Sequence, residues 1–353
     1  MTMRRRMIEP ALLAQVLRRY PDLGMFTGIT RNGLSMSTAA CLFETSNGIF
    51  FAKRYDPRTR SEAALGAEHA ITKNLLQAGF PTPMLHANNR GDTVTWLAEQ
   101  PYAIYDLARG EDRYGDVPVF APYRTVAEVR SAGAMMARFH RLLMGMERPP
   151  ARPFSGLTAQ FLAWDAPTLA EGIAPLLSGN DALREFLDRH GAWPQVLALL
   201  EARHPAIHAA LPALPRGILH GDWIKRNLFF EGTEVSDVVD FELWNTGVLI
   251  YDIALALLPV AFNWPDILGS GGKPNGEALK AFLEGYGSVR ALEPAERDAL
   301  PLVMEGARLE FYLSGIASTI AVNDQHQAAL FWEILSGTVK WFEAHPDWRS
   351  LLP

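Results

Sequence analysis

Residues 217–230 read GILHGDWIKRNLFF, and residues 238–242 read VVDFE. Both segments contain an apolar run followed by a turn, which is the pattern of a strand leading into a loop. Asp222, Asn227 and Asp240 therefore fall at neighbouring strand ends. Oxygen-bearing side chains gathered in this way suit a hard cation such as Mg²⁺, which binds carboxylate, amide and phosphate oxygens. The alternative is that the two acids only form turns and the Asn only caps one.

The order of these residues resembles the catalytic and metal-binding loops of the aminoglycoside phosphotransferase and choline kinase superfamily, which has a kinase-like fold. His220-Gly221-Asp222, with Asn227 five residues after the Asp, matches the superfamily motif His-Gly-Asp-x-x-x-x-Asn. Residues 240–242 match its Asp-Phe-Glu motif, and residues 251–254, YDIA, are similar to its Tyr-Asp-Leu-Ala element. The run at 249–254 looks most like the branch of type II homoserine kinases and spore-coat kinase-like proteins.

The resemblance implies an ATP-dependent kinase that uses Mg²⁺ and phosphorylates a hydroxyl of an amino-alcohol, an aminoglycoside or a homoserine-like acceptor. In that scheme Asp222 accepts the hydrogen bond, and finally the proton, of the acceptor hydroxyl. Asn227 and Asp240 hold the metal between the nucleotide phosphates. Glu242 either assists a second metal ion or meets a cationic acceptor. Arg226 either reaches the substrate at its γ-phosphate or is ordinary surface charge.

Four neighbouring residues have predicted supporting roles. His220 is expected to brace the catalytic loop rather than to act as a base. Asp252, at the start of a predicted helix, is expected to anchor that loop. Lys225 is a second candidate for the γ-phosphate. His140 ends an Ala-Arg-Phe-His run that also occurs in the superfamily, and a structural role is the preferred interpretation for it.

The length of 353 residues exceeds the size at which one hydrophobic core stops growing, so two lobes are expected. The resemblance implies an α+β class and a bilobal, protein-kinase-like fold. The N-lobe, residues 1–107, would be a small antiparallel nucleotide-binding sheet with one helix paired to it. The C-lobe, residues 108–353, would be larger, mainly helical, and would carry the catalytic loop and the acceptor-binding helices. Strands of the N-lobe are predicted at 39–44, 49–55, 84–87, 92–97 and 102–106.

Lys53 lies on the second strand of a predicted hairpin, on an apolar face where a lysine must reach solvent or find an anion. Glu68 falls on the apolar stripe of a helix predicted over 61–78 and is the preferred partner, with Glu62 as the alternative. The resemblance makes Lys53 the ATP-binding lysine and Glu68 its ion-pair partner. Arg54, on the opposite face of the strand, competes with Lys53 for this role, and an edge-strand lysine is the other alternative.

Two further segments are expected to contact the nucleotide. The loop at 27–38 contains Gly33 and Ser35, and the resemblance places it over the phosphates, although it lacks Gly-x-Gly-x-x-Gly and could be an ordinary polar loop. The chain leaves the N-lobe through a hinge, where backbone groups of Asp106 and Leu107 are expected to contact the adenine edge. The departure in the phosphate loop leaves GTP open as an alternative to ATP.

Composition narrows the class of partner. The formal net charge of −6 argues against a nucleic-acid partner and leaves room for a small-molecule acceptor that is cationic. The sequence leaves the oligomeric state open. The single cysteine, Cys41, excludes an internal disulfide and fits a reducing cytosol. No signal peptide is recognised at the start, and the longest apolar run, 248–262, is too short and too interrupted to span a bilayer. A cytoplasmic protein without a membrane partner is expected.

The rest of the chain is predicted to be mostly helical. Residues 125–144 form one predicted helix, and 160–211 carry two or three helical patterns where the superfamily builds acceptor specificity. Residues 278–286 and 294–343 are predicted as amphipathic helices. Three charged residues of this last part could face an acceptor, although a solvated face is the preferred interpretation: Arg308, Glu310 and Asp324.

Two rival functions are considered. A catalytically silent nucleotide-binding pseudokinase or regulatory module would usually have lost one of Asp222, Asn227, Asp240 and Lys53, and all four are present. A protein kinase is disfavoured because no Asp-Phe-Gly and no Ala-Pro-Glu segment is present.

Overall fold

The computed structural model describes residues 7–34, 38–57, 60–117, 121–150, 152, 162–191, 193–261, 274–321 and 323–352. They form two compact units: the chain up to Gly110 with Ser236–Val239, and Glu111–Val235 with Asp240 onward. The first unit is built around an antiparallel sheet and the second is mainly helical, which confirms the predicted α+β class. The predicted domain division between residues 107 and 108 stays a prediction.

Among its described residues the first unit contains two helices and five complete strands. These are α1 (Pro10–Leu17), β1 (Phe26–Leu34), β2 (Thr38–Thr45), β3 (Gly48–Tyr55), α2 (Glu62–Gln77), β4 (Thr95–Leu97) and β5 (Gln100–Tyr105). The strands form one antiparallel sheet in the order β1-β2-β3-β5-β4. The predicted β2–β3 hairpin is confirmed, with Thr45 paired to Gly48 across its turn. Helix α2 begins where predicted, because the Ser61 hydroxyl accepts a hydrogen bond from the backbone N–H of Ala64 at 3.2 Å.

The two faces of the sheet pack against different helices. Ala52, Tyr102 and Ile104 lie in one cluster with Leu13 and other residues of α1. Cys41 belongs to the same cluster and is fully buried. Successive residues of a strand face opposite sides, so every second residue of β3 faces α1.

The other face of β3 packs towards α2. Tyr55 and Ala103 form a cluster with Leu65 of α2. Lys53 alternates with Ala52 and therefore shares the face of Tyr55, towards α2. Arg54 faces the opposite side, where its guanidinium donates to the carbonyl of Met7 at 3.2 Å. This arrangement favours Lys53 over Arg54 for the predicted pairing with a carboxylate on α2.

One strand prediction and one loop prediction were wrong. The segment 84–87 is not a regular strand, since only Leu85 forms an isolated bridge, to Tyr105. Conversely, most of the loop predicted at 27–38 is strand β1. The pairing of β1 shifts register between Phe26 and Gly28 and again between Ile29 and Arg31. Such bulges interrupt the alternation of apolar and polar residues by which a strand is recognised in sequence.

The second unit contains nine helices and three complete strands within its described residues, and β8 crosses from it into the first unit. The elements, in chain order, are α3 (Val126–Leu143), α4 (Leu162–Asp165), α5 (Leu169–Leu177), α6 (Asp181–Arg189), α7 (Trp193–Ala210), β6 (Arg216–Leu219), β7 (Leu228–Glu231), β8 (Glu234–Val238), β9 (Asn245–Val248), α8 (Leu249–Ala261), α9 (Gly276–Val289), α10 (Pro294–Ala321) and α11 (Gln325–Ala344). Strand β6 pairs antiparallel with β9, and β7 pairs with β8.

Helix α3 follows its prediction, because Thr125 and Glu128 form a reciprocal capping box at its start. The region predicted to hold two or three helical patterns holds four helices, α4 to α7. The single helix predicted over 294–343 is two helices. Asn323 has a positive φ of 61°, and Asp324 caps the start of α11, so the chain turns between α10 and α11.

The preferred interpretation of Arg308 and Glu310 as part of a solvated face was wrong. Both side chains are buried on α10, at 0% and 2% exposure. The guanidinium of Arg308 donates to the hydroxyl of Thr338 on α11 at 2.7 Å and lies over the ring of Tyr312. Asp324 is exposed, as that interpretation expects, and serves as a helix cap.

Helices α3 and α9 approach each other unusually closely at two glycines. A Cβ on Gly133 of α3 would lie 2.1 Å from the carbonyl oxygen of Phe282, and a Cβ on Gly285 of α9 would lie 2.0 Å from that of Arg130. Both distances are far inside van der Waals contact, and both neighbours are backbone atoms that cannot rotate away. Glycine at each position therefore permits this close packing of the two helices.

Candidate active site

The catalytic loop predicted from sequence lies between β6 and β7 and is held by its own side chains. The Nδ2 group of Asn227 donates to the carbonyl oxygen of Asp222 and to its carboxylate oxygen Oδ2, each at 2.9 Å. The backbone N–H of Asp222 donates to Nδ1 of His220 at 3.2 Å. Because both partners of the Asn227 amide are acceptors, its orientation is fixed, with the nitrogen towards Asp222.

Asp252 anchors the start of this loop from the first turn of α8. Its Oδ2 accepts the backbone N–H of His220 at 2.7 Å, and its Oδ1 accepts that of Gly221 at 2.9 Å. Gly221 has a φ of 78°, a left-handed conformation that glycine adopts without strain. The predicted anchoring role of Asp252 is confirmed.

His220 is buried within an aromatic cluster. Its ring centroid lies 5.2 Å from that of Trp223 and 5.0 Å from that of Phe241. The side chain is fully buried, and one ring nitrogen accepts from the loop backbone. The predicted role of His220 as a brace is therefore confirmed.

Asp240 reaches the site from the turn after β8 in a left-handed conformation, with φ of 67° and ψ of 68°. A non-glycine residue in this region is strained, and such strain clusters at functional sites. The following turn is fastened by Arg152, which donates from Nη1 to the carbonyl oxygens of Glu242 at 2.7 Å and Trp244 at 3.0 Å. The backbone N–H of Arg152 also donates to Oδ1 of Asn245 at 2.8 Å.

The carboxylates of this region act on one another electrostatically. Burial, followed by the negative charges of Asp240, Glu242 and Asp252, raises the pKa of Asp222 to about 7, against the hydrogen bond from Asn227. Like charges shift a pKa in this way only at short range. The structure thus brings together Asp222, Asn227, Asp240 and Glu242.

The donor set fits a divalent cation. The Asn227 nitrogen is committed to Asp222, and its Oδ1 has no hydrogen bond to any residue that the structure describes. Among the described residues, no three His, Cys, Asp or Glu side chains are grouped so as to hold a metal by themselves. Asn227 and Asp240 could therefore hold a divalent cation if phosphate and water oxygens completed its coordination.

The two basic residues of the loop contact a neighbouring segment. Arg226 donates from Nε and Nη2 to the carbonyl oxygen of Val117, at 2.9 and 2.7 Å. Lys225 is buried, donates to the carbonyl oxygen of Ala121 and lies over the ring of Tyr114. Burial, and then the charge of Arg226, lowers the pKa of Lys225 to about 8. The predicted contact of Arg226 with the substrate stays a prediction, since Arg226 would have to leave Val117 to make it.

In the first unit, Lys53 and Glu68 are both buried. Glu68 accepts a hydrogen bond from the hydroxyl of Tyr55 at 3.3 Å. Burial, and then the positive charges of Lys53 and Lys73, lowers the pKa of His69 to about 4. The charge of Lys53 therefore acts on α2 at the residue next to Glu68, which supports the predicted pairing.

The remaining predicted nucleotide contacts also lie in the first unit, except Ser35, which falls outside the described residues. Gly33 is on β1, opposite Ala40. The backbone N–H of Asp106 donates to Met84, and its carboxylate lies 2.7 Å from Nε2 of His86. Leu107 is exposed, and its backbone polar groups have no hydrogen bond to any described residue. Leu107 thus offers the free backbone groups that a hinge contact requires.

Two residues that shape the site were not recognised from the sequence. Arg152 belongs to no motif, and Asn245 follows the Asp-Phe-Glu motif in what looked like a plain turn. Asn245 is fully buried and also donates from Nδ2 to the carbonyl oxygen of Arg152, at 3.3 Å. No local pattern in the sequence marks Asn245, which lies between Trp244 and Thr246.

Comparison with known proteins identifies the relatives of this chain. The model of the family described as "Phosphotransferase enzyme family" matches residues 28–300. Homoserine kinase of Rhodopseudomonas palustris (strain BisB18) is 30% identical over 318 residues, covering 88% of this chain and 85% of that protein. Homoserine kinase of Brucella ovis is 29% identical over the same shares of both chains.

Solved structures share the fold. A microcompartment-associated aminopropanol kinase superposes with a TM-score of 0.65 at 17% identity, covering 97% of this chain and 99% of its own. An amicoumacin kinase, solved with AMP-PNP and Ca²⁺, superposes with a TM-score of 0.62 at 15% identity, covering 92% of each chain. Within the described residues, no helix has the length and apolar character needed to cross a membrane.

Proposed function

Because this chain belongs to the phosphotransferase enzyme family, we propose that it transfers the γ-phosphoryl group of ATP to the hydroxyl of a small amino-alcohol. A homoserine-like acceptor is the first candidate, since the two curated relatives described above are homoserine kinases. Aminoglycosides are the second class to test. The proposed reaction consumes ATP, which supports the predicted cytoplasmic location.

One observation carries the proposal. Asn227 is hydrogen-bonded to Asp222 through Nδ2, so its Oδ1 can bind a cation. The second carboxylate oxygen of Asp222, Oδ1, can accept a hydrogen bond from the acceptor hydroxyl. The loop therefore presents one group for a metal and another for an acceptor hydroxyl. Phosphoryl transfer depends mainly on such positioning and on charge neutralisation.

The residues would share the work as follows. Asp222 accepts the hydrogen bond of the acceptor hydroxyl, orients its oxygen for attack and takes its proton late in the transfer. A pKa near 7 suits a group that must accept a proton near neutral pH. Asn227 and Asp240 would hold Mg²⁺, which supplies neutralisation of the negative charge on the transferring phosphoryl group.

Residues of the first unit would bind the nucleotide. Lys53, oriented by a carboxylate on α2, would contact the phosphates, and the free backbone groups of Leu107 would contact the adenine edge. A buried lysine next to a buried acid keeps its charge more readily than an isolated one. We propose ATP rather than GTP as the nucleotide because these elements resemble those of ATP-binding kinases.

Glu242 is the proposed contact for the cationic group of the acceptor. It is 6% exposed, and its charge helps to raise the pKa of Asp222, so it lies near the base. An ammonium group next to Glu242 would be recognised by charge and would bring the attached hydroxyl towards Asp222. Glu242 could instead bind a second metal ion. Comparing turnover of an acceptor with and without the amine would distinguish these two roles.

The proposal is tested by measuring ADP release with Mg²⁺ and ATP across homoserine, simple amino-alcohols and aminoglycosides. We expect turnover with at least one amine-bearing acceptor and a loss of about 10²–10⁴-fold in Asp222→Ala. Asp222→Ala should still bind Mg²⁺-AMP-PNP and melt cooperatively. Asp298→Ala, at an exposed position of α10, is the matched control and should keep full activity.

Two outcomes would contradict the proposal. If Asp222→Ala keeps wild-type turnover, Asp222 is not the acceptor's partner. If the wild type binds the nucleotide but phosphorylates no acceptor of these classes, the pseudokinase alternative is favoured instead.

A further inference from the structure

A continuous chain of hydrogen bonds leads from α9 to the catalytic loop. Nη1 of Arg290 lies 3.0 Å from the hydroxyl of Tyr286, and that hydroxyl lies 2.8 Å from Nδ1 of His140. Nε2 of His140 lies 3.2 Å from Oδ2 of Asp252. Asp252 in turn accepts the backbone N–H groups of His220 and its neighbour. We call Arg290, Tyr286, His140 and Asp252 the α9 relay.

Each hydrogen in the α9 relay can point in only one direction. Burial raises the pKa of Asp252, but the hydrogen bonds from His140 and from the backbone N–H of His220 outweigh it and lower the pKa, so Asp252 is a carboxylate that only accepts. His140 must then donate from Nε2, which leaves Nδ1 to accept from the Tyr286 hydroxyl. Arg290 only donates, so the Tyr286 oxygen accepts from it. All four groups satisfy one another with a single tautomer of His140.

The inner three residues of the relay are buried, whereas the side chain of Arg290 at its outer end is 10% exposed. His140 is 1% exposed, and Tyr286 and Asp252 are fully buried. Burial raises the pKa of the Tyr286 hydroxyl, so that hydroxyl keeps the hydrogen it donates. Water cannot readily replace a lost partner at such a site, and a buried group left without its partner costs about 1–3 kcal/mol. Removal of the Tyr286 hydroxyl should therefore leave Nδ1 of His140 without its hydrogen-bond donor.

The outer end of the relay is fixed to a further helix. Nη2 of Arg290 donates to both carboxylate oxygens of Glu296, each at 3.0 Å. Glu296 is fully buried and also accepts the backbone N–H of Glu293 at 2.9 Å, at the start of α10. A bidentate pair of this kind sets the direction of the guanidinium as well as its position.

We propose that Tyr286 and Arg290 are positioning residues for phosphoryl transfer. They hold His140 in the tautomer and orientation in which Asp252 keeps the amides of His220 and Gly221, and hence Asp222, in place. The proposed effect on phosphoryl transfer rests on the proposed function, whereas the proposed effect on the position of the loop does not. Neither residue touches the reacting groups, so both act through Asp252.

The variant Tyr286→Phe removes one oxygen and keeps the ring. We expect kcat to fall about tenfold while KM for ATP stays within about twofold, because the defect lies in the placement of Asp222 rather than in nucleotide binding. Tyr20→Phe is the matched control. Its hydroxyl is equally buried, lies 3.0 Å from the Thr95 hydroxyl and belongs to the first unit, so kcat should not change.

A second measurement separates positioning from general loss of stability. Hydrogen exchange of the His220 and Gly221 amides should accelerate about tenfold or more in Tyr286→Phe under native conditions, and not at all in Tyr20→Phe. The double variant His140→Asn/Tyr286→Phe should be no slower in kcat than His140→Asn alone, because both changes break the same chain.

Unchanged exchange at His220 and Gly221 in Tyr286→Phe would overturn the proposal, as would additive kinetic effects in the double variant. If the wild type phosphorylates no acceptor, faster exchange at these amides would still support the positioning of the loop, and only the proposed function would fail.

Discussion

Asn227 donates to Asp222 twice from a single nitrogen, to the backbone carbonyl and to the carboxylate, each across 2.9 Å. The two residues thus form one unit in which the amide fixes the carboxylate and leaves its own oxygen for another ligand. Any change at Asn227 should therefore affect the base and the metal together.

Replacement of Asn227 by Asp tests this relationship. The new carboxylate cannot donate, and it adds a like charge beside Asp222, whose pKa should rise further. We expect kcat to fall by about 100-fold at neutral pH and to recover partly as the pH is raised, measured by ADP release. Asn180→Asp is the control, since Asp serves equally well at that helix cap, and it should leave the rate unchanged. Equal rates for the two variants would contradict the relationship.

The raised pKa of Asp222 predicts a cost in stability for the metal-free protein. The native carboxyl holds a proton up to a pH of about 7, whereas the unfolded one releases it near the ordinary aspartate pKa of 3.8, so the native state binds more protons in between. Stability should therefore fall as the pH rises through this window. Asp222→Asn removes the effect and should exceed the wild type by about 1–3 kcal/mol near pH 8.

The measurement is urea unfolding in EDTA at several pH values, with Asp298→Asn as the exposed control. The stabilities of Asp222→Asn and the wild type should converge below about pH 3, where the wild-type carboxyl is protonated in both states. A difference that does not change with pH would show that burial of charge is not its cause.

His69 reports on Lys53. The pKa of His69 is lowered to about 4 by burial first and by the charges of Lys53 and Lys73 next. Lys53→Met should raise this pKa by more than Lys73→Met, the exposed control, and NMR titration of the imidazole measures both. Since the lowered pKa means that stability is lost as the pH falls from about 6.5 towards 4, Lys53→Met should also reduce that acid sensitivity. An unchanged pKa of His69 in Lys53→Met would show that the charge of Lys53 does not act on α2.

Arg152 offers a test of the turn after Asp240. Arg152→Ala leaves the carbonyl groups of Glu242 and Trp244 without this donor, so the turn that holds Asp240 should loosen. We expect the Mg²⁺ concentration for half-maximal rate to rise about tenfold, and the thermal shift given by Mg²⁺-AMP-PNP to shrink. Arg148→Ala is the control. Its guanidinium also donates to a backbone carbonyl, that of Arg216, but it does not contact this turn. Equal shifts in both variants would remove Arg152 from the metal site.

Elements with a local signal were predictable from the sequence. The start of α3 follows from the reciprocal bonds of Thr125 and Glu128, and the start of α2 from the Ser61 hydroxyl. The spacing of Asp222, Asn227 and Asp240 likewise predicted their meeting, because short strands bring consecutive loops to one end. In each case the residues that determine the element are close in sequence.

Elements that depend on distant partners were not predictable. Strand β1 contains two register shifts that hide its alternation of apolar and polar residues. Residues 84–87 form no regular strand although they lie alongside the end of β5. Arg308 looks like a surface residue until α11 supplies the Thr338 hydroxyl and covers it. Arg152 acts on a turn about ninety residues away, and no local pattern marks such a pairing.

The glycines at 133 and 285 have a consequence for how relatives of this chain can diverge. They set the spacing of α3 and α9, and that spacing lets His140 and Tyr286 meet at 2.8 Å. A lineage that gained a side chain at either glycine would push the helices apart and lose the contact, whereas one that replaced the tyrosine first would be released from the constraint. Positions 133, 285 and 286 are therefore expected to vary together among relatives. An alignment in which they vary independently would show that the helix spacing is kept for packing alone.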